Sequence, residues 1–382
     1  MTYKTTTLDT FVTLQRGFDL PAQDRIPGDV PVIAANGPVG FHNAAKVFSK
    51  CVVLGRSGTV GNPQLIKEPF WPLNTTLFVK DFHGNSPEFV YYVFKTIDFK
   101  SFDAGGTVPT LNRNHLRQIE VPLLELAHQE AIAEVLQNLD SKIALNITLS
   151  KNLEDIAQTI FKSWFIDFDP VKAKMAGGKP AGMDAATAAL FPDSMEESEL
   201  GLIPKGWGVR SIGDSVIKKK VGKLFDSKTS FPSGSTPVLD QGKSGVVGFH
   251  DEEPGVFASP DEPLVVFANH TCLLRLISYP FSVIQNVFPL VGNEVDVIWL
   301  YFAVEGKQKF DSYKGHWPDF VLHKIIHPTE NATNAFRLVV EPLLKQKWLL
   351  EQQSKLLANL RDSLLPRLIS GELQIPQEML AS

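Results

Sequence analysis

Apolar residues three and four apart dominate two long stretches of the chain. From about Glu125 to Phe165 there is neither Gly nor Pro. Ile132, Leu136, Leu139, Ile143, Ile147, Leu153, Ile156, Ile160 and Trp164 mark one face of a long amphipathic helix. Leu343, Leu344, Leu350, Leu357, Leu360, Leu364 and Leu368 mark a second, which Pro366 should end or kink near its last turn. Both runs pass through Ser-Lys, at Ser150-Lys151 and Ser354-Lys355. Asn146 and Ser150 interrupt the first stripe, as polar seam positions that fix register do. At 1.5 Å per residue the helices would span about 60 Å and roughly 45 Å. Their stripes are most simply buried against each other, antiparallel.

The segments before each helix repeat one another. PVIAANGPVGFHN from Pro31 is answered by PVLDQGKSGVVGFHD from Pro237, and CVVLGRSG from Cys51 by PLVVFANH from Pro263. FWPLNTTLFV from Phe70 matches FSVIQNVFPLV from Phe281. An aromatic segment follows in each, with Tyr91, Tyr92 and Phe94 in one and Trp299, Tyr301 and Phe302 in the other; each predicts a helix. A polar loop closes each at Pro122 and Pro328. Weak matches kept in one order at an offset near 210 residues indicate two copies of one fold. Short apolar runs between Gly, Pro and Asn turns make each copy mixed and mainly β.

The expected organisation is a first globular domain over 1–122 and a helix over 123–168. A Gly-, Pro- and Ala-rich mobile linker over 169–206 follows, with a short helix near Met183–Leu190, then a second globular domain over 207–332 and a helix over 333–382. The chain's 382 residues and 43% hydrophobic content suit two such domains. With 37 Lys+Arg against 42 Asp+Glu, the net charge of −5 excludes a polybasic coat for nucleic acid, though not a local basic face. Two distant cysteines, Cys51 and Cys272, provide neither a disulfide framework nor a four-ligand zinc site, and read as small buried hydrophobes in strands. The opening MTYKTTTLDTF has no apolar signal region, so a reduced, cytoplasmic protein is expected.

Enzyme motifs fare poorly. A self-contained methyltransferase needs an Asn/Asp-Pro-Pro-aromatic motif, and the chain has no Pro-Pro pair. Gln241-Gly242-Lys243-Ser244 resembles the end of a phosphate loop, but Pro237 stands where its first glycine belongs. Asp296…Glu305-Gly306-Lys307 has nuclease-like spacing, yet VIWLYFAV between reads as a packed helix, and EFVYYVFKTIDFK in the other copy has no such pair. No histidine pair has metal-ligand spacing; His42 and His250 recur at equivalent positions and serve the fold or a nucleic-acid contact.

Four segments carry a resemblance: IFKSWFIDFDP (160–170), LFPDSMEESELGLIPKGW (190–207), TVPTLNRNHLRQIEVP (107–122) and RDSLLPRLISGEL (361–373). Over essentially its whole length the chain resembles the specificity (S) subunit of a type I restriction–modification system. The resemblance implies an α+β protein with two similar mixed α/β target recognition domains, separated by two long antiparallel helices in a pseudo-two-fold repeat. Each domain would read one half of a split double-stranded DNA target in the major groove. The helices would set the gap and dock two adenine-N6 methyltransferase subunits, with restriction subunits in the full complex. The chain itself would hold no cofactor or metal and catalyse nothing; S-adenosylmethionine, ATP and magnesium would sit on the partners. Helices of about 45–60 Å correspond to roughly 13–18 base pairs between domain centres. The second copy departs from the pattern, with KGHWPDFVL where the first has GGTVPTLNR. Two other readings are a stand-alone DNA-binding regulator and a catalytic nuclease or methylase subunit.

Candidate DNA contacts are loop side chains able to reach phosphates or base edges. In the first copy these are Asn36, Arg56, Ser57, Thr59, Asn74, Thr110, Asn112 and Arg113, with Gly55, Gly58 and Gly61 either shaping a hairpin or admitting a phosphate. In the second they are the basic run Lys218, Lys219, Lys220 and Lys223, with Gln241, Lys243, Asn269, His270, Lys314, His316 and Trp317. Trp164 and Phe165 are either helix-seam packing or exposed anchors for a methyltransferase subunit.

Overall fold

A computed structural model describes residues 3–102, 109–242 and 245–380. The chain divides into two compact units: residues 1–145 with 353–382, and residues 146–352.

The first unit begins with β1 (Lys4–Thr7), α1 (Leu8–Phe11) and β2 (Thr13–Arg16). The strands β3 (Val30–Ala34), β4 (Gly37–His42), β5 (Cys51–Gly55), β6 (Pro63–Ile66), β7 (Trp71–Pro72) and β8 (Thr76–Asp81) follow. Then come α2 (Pro87–Thr96), α3 (Arg113–Leu116), β9 (Glu120–Leu123) and the long α4 (Leu126–Phe165). The sheets are β2-β8-β5-β6, β4-β3-β7 and the antiparallel pair β1-β9. Every residue of β5 is buried, which explains its unbroken apolar run CVVLG. Ser86 caps α2 by accepting from Phe89 N–H, and Pro87 starts the helix where its missing N–H matters least.

After α4 come α5 (Asp169–Met175), α6 (Ala185–Ala189) and the hairpin β10 (Met195–Ser198)–β11 (Gly201–Pro204). The second unit then retraces the first, starting with β12 (Gly208–Ser211), α7 (Ile212–Ser215) and β13 (Val216–Lys218). Next are β14 (Thr236–Leu239), β15 (Val246–His250), β16 (Leu264–Ala268), β17 (Leu274–Ile277), β18 (Ser282–Val283) and β19 (Val287–Gly292). It ends with α8 (Val297–Val304), α9 (Trp317–Leu322), β20 (Lys324–His327) and the long α10 (Glu330–Ser370). Its sheets, β13-β19-β16-β17, β15-β14-β18 and β12-β20, match those of the first unit strand for strand.

Three expectations are corrected. The segment 169–206 is folded onto the second unit and is not a free connector: Phe191 and Ile203 are buried beside Trp164, Phe165 and Trp207, and Lys174 Nζ donates to Ala188 O and Phe191 O. Its Ala, Gly and Pro content concealed these few large anchors. Pro366 does not end the second helix, which at 41 residues matches the 40 of α4. Pro342 and Pro366 are both exposed, as are Leu338 and Asp362 four residues before them, so water can satisfy the carbonyls each proline frees. Burial of Leu365, Leu368 and Ile369 in the first unit's core holds the last turn. Cys51 lies in β5 as expected, its thiol pushed up to about 12 by burial, but Cys272 is a half-buried turn residue at φ 58 between β16 and β17.

Within the second unit the long helices are antiparallel: Lys347 of α10 pairs with Glu154 of α4 at 3.1 Å, while Phe336, earlier in α10, meets Phe161 and Trp164, later in α4. In the first unit Arg361 pairs with Asp140 at 2.5 Å, and Tyr92 donates to the same carboxylate at 2.7 Å. Each helix ends beside the first strand of a repeat. Phe165 stacks on Trp207, just before β12, with ring centres 5.8 Å apart. Tyr3 N–H, just before β1, donates to Ser370 O at 3.4 Å. Gly371, at φ +77, ends α10 there; a Cβ on it would lie 2.9 Å from the Tyr3 ring.

Candidate nucleic-acid interface

Both units tie the same three loops together with the same main-chain bonds. In the first, Arg56 N–H donates to Thr75 O and Leu111 N–H donates to Arg56 O, each at 2.8 Å. In the second, Asn269 N–H donates to Asn286 O at 3.0 Å and His316 N–H to Asn269 O at 2.9 Å. The loops after β5 or β16, before β8 or β19, and before α3 or α9 therefore meet at one junction in each unit. A fourth loop is pinned nearby by a side chain. Gln64 Nε2 donates to Ala34 O at 3.1 Å, holding the β3–β4 turn that carries Asn36. Arg275 replaces it in the second unit, donating to Gly245 O and Asp240 O around the β14–β15 turn that carries Gln241. Burial holds the Arg275 guanidinium below its usual pKa. Sequence reasoning missed both pins; their shared place one strand after the buried run was the signal.

In the first unit the junction gathers Arg56, Ser57, Thr59, Asn74 and Thr110. Arg56 Nη1 donates to Asn74 O at 3.4 Å, and Ser57 bridges Thr110. Asn74 Nδ2 donates to Asp19, which also pairs with Arg16. Gly55 shapes the hairpin, since a Cβ there would sit 1.8 Å from Thr59 O. Asn36 and Thr59 are exposed. Asn112, also exposed, caps α3 by accepting from Asn114 N–H at 3.0 Å. Arg113 is exposed and, with Arg117, lines a groove of about 260 Å³ beside Asp9 and Thr13. Arg117 was not anticipated.

In the second unit several candidates are committed to the fold. Asn269 is buried and its Oδ1 accepts from Trp317 N–H at 2.7 Å. His316 is fully buried, its Nε2 3.0 Å from Ser312 O. Trp317 packs on Phe288, and the Lys218 ammonium lies 3.8 Å and 3.7 Å from those two rings, where burial lowers its pKa. Asn269 and His316, both buried, are corrected from contacts to supports, because a polar loop that must close on itself spends its own polar groups. Lys314 pairs with Asp311 and Asp319, which hold its pKa up, and Lys223 pairs with Glu252 at 2.5 Å. Lys219 and Lys220 are exposed and make no ion pair among the described residues. Lys243 lies outside the described residues.

Gln241 is half-buried, and its Oε1 accepts from His270 N–H at 2.7 Å. His270 Nδ1 lies 2.8 Å from Lys314 O, and Tyr313, 86% exposed, stacks on the imidazole with ring centres 5.2 Å apart. Tyr313 was overlooked as one aromatic in a polar loop.

The remaining suspects serve the fold. His42 Nδ1 accepts from Ile26 N–H; His250 accepts from Glu252 N–H, contacts Ser282 Oγ and stacks on Phe225. Asp296 caps α8 through Ile298 N–H and pairs with Arg337 at 3.2 Å, which accounts for its nuclease-like position; burial is the largest influence on its carboxyl and raises its pKa. Trp164 and Phe165 are buried in the seam. Among the described residues no cluster of three His, Cys, Asp or Glu could hold a metal, and no helix is long and apolar enough to cross a membrane.

Residues 2–155 match the family described as type I restriction modification DNA specificity domain. The MjaIX specificity subunit of Methanocaldococcus jannaschii is 23% identical over 367 residues, covering 87% of this chain and 80% of that protein. The HindI specificity subunit of Haemophilus influenzae is 24% identical over 363 residues, covering 75% and 77%. The S subunit structure from M. genitalium shares the fold at a TM-score of 0.63 and 17% identity, over 96% of both chains. These likenesses favour a specificity subunit over a stand-alone regulator. With its duplicated units and paired long helices, the chain is similar over most of its length to type I restriction enzyme specificity subunits, and residues 2–155 match their DNA specificity domain, which supports a DNA sequence-specificity role.

Proposed function

We propose that each unit reads one half of a split double-stranded DNA target at its loop junction. The observation that carries this is the duplication of the junction itself: one backbone frame occurs twice and presents different side chains each time. A shared frame with differing side chains suits two half-sites of different sequence. The long helices set the gap between half-sites and receive two adenine-N6 methyltransferase subunits, with restriction subunits joining in the full complex. S-adenosylmethionine belongs to the methyltransferase subunits, and ATP and magnesium to the restriction machinery. The assembly works in the cytoplasm.

The test is co-expression with the methyltransferase subunit in a host lacking adenine methylation, followed by genome-wide mapping of N6-methyladenine. Two fixed blocks around a constant gap are expected, and exchanging residues 207–328 for those of another S subunit should change one block only. A complex that forms but methylates no split motif would overturn the reading.

A further inference from the structure

Three facts meet at the second unit's junction. The His270 imidazole is anchored, because Lys314 O can only accept, so Nδ1 carries the hydrogen. In the neutral ring Nε2 is then a lone-pair acceptor, and it has no partner among the described residues. Tyr313 covers one face of that ring at an interplanar angle of 14°, although the tyrosine is itself 86% exposed. A large aromatic held almost wholly in solvent gains little for folding. Here it adds an apolar surface beside an acceptor of fixed direction. The backbone N–H of the same residue donates to Gln241 Oε1, so the β14–β15 turn holds the main chain of His270 while Lys314 O holds its ring.

We infer that His270 and Tyr313 together read one base pair of the half-site taken by the second unit. Nε2 accepts from the exocyclic amino group of adenine or cytosine, the donors those bases present in the major groove. Tyr313 fixes the imidazole plane and packs its ring against the neighbouring base edge. Nothing at the first unit's junction duplicates the pair: Arg56 stands in the place of Asn269, followed by Ser57 where the second unit has His270. The pair therefore acts on one half-site alone.

The inference rests on the proposed function, and one experiment separates their failures. The unsubstituted complex with its methyltransferase subunit is mapped first; absence of a split motif would overturn the function and this inference with it. With that motif established, Tyr313→Ala and His270→Ala complexes are mapped in the same host. Each should lose about tenfold in discrimination at a single position, the same for both, in the block that an exchange of residues 207–328 alters. The other block and the gap should be unchanged, as should recovery of the complex. Unaltered discrimination in either variant, relaxation at different positions, or loss of the whole block from a complex of normal yield would each overturn the inference.

Discussion

The two units solve one geometric problem with different residues. In the first, the Ser86 N–H at the start of α2 donates to Gln129 Oε1 of α4 at 2.9 Å. In the second, the Asp296 N–H at the start of α8 donates to Thr333 Oγ1 of α10 at 3.0 Å. The short helix is thus fastened to the first turns of the long helix in both, by a buried bond whose donor is constant and whose acceptor is not. The pins Gln64 and Arg275 invert this, with a recurring main-chain acceptor and a donor that differs. So do the sheet margins: Phe231 pairs with Phe249 of β15 through two 2.8 Å bonds, whereas Arg25 donates to Val39 O of β4 at 3.0 Å. A main-chain group that must be satisfied constrains the geometry more than the partner's identity. Loop chemistry can therefore diverge while the frame stays.

The greatest contrast should come from the seams. Phe336 and Ile132 are each the seventh residue of their long helix and fully buried, but Phe336 meets Phe161, Trp164, Phe165 and Phe302. Phe336→Ala is expected to cost about 3–5 kcal/mol and Ile132→Ala about 2–5 kcal/mol. Of the six tryptophans, only Trp71 belongs to the first unit, so tryptophan fluorescence in urea should register the Phe336 change far more strongly. Equal fluorescence shifts would mean that the units unfold as one.

Next come the fastenings. Thr333→Val and Gln129→Leu each strand a buried N–H, at a cost of about 1–3 kcal/mol. Gln129 should be the costlier, since its Nε2 also serves Asn85 and Leu124 O. Amide exchange should quicken at Asp296 in one variant and at Ser86 in the other, and quickening at both in either variant would deny separate fastenings.

A smaller effect separates neighbouring lysines. Lys218→Ala should lower stability by about 0.5–2 kcal/mol through the lost contacts with Phe288 and Trp317. Lys219→Ala should leave stability alone and reduce the salt dependence of DNA binding by about one counterion. Unchanged salt dependence would remove Lys219 from the interface.

The smallest is a pH effect confined to the second unit. Burial lowers the pKa of His327 below its ordinary 6.5, with Arg210 adding to the effect. The unfolded chain therefore takes up this proton more readily than the folded one. The stabilisation is complete above about pH 6.5 and is lost as pH falls toward the depressed folded value. Leu123 holds the equivalent place in β9, so His327→Leu should flatten that slope in thermal melts between pH 7 and about 5. An unaltered slope would place the titration elsewhere.

The repeat and the long helices were legible because they rest on periodicity, which single residues cannot erase. Pro366 misled because a helix-breaking residue was weighed without its surroundings, which expose the proline and bury Leu365 and Leu368 beside it. The segment 169–206 misled because composition averages over the few positions, such as Phe191, that dock it. Candidate contacts were legible only as loops. Whether Asn269 or His270 turns outward depends on which one closes the junction, and a linear pattern does not contain that information.

The long helices give the chain an unusual connectivity. One runs from β9 to the threshold of β12, and the other from β20 to the threshold of β1, where Tyr3 meets Ser370. The order of parts thus closes on itself like a ring that has been cut once. A circularly permuted gene, starting at β12 and joining α10 to β1 by a short tether, would encode the same pairings in a different reading order.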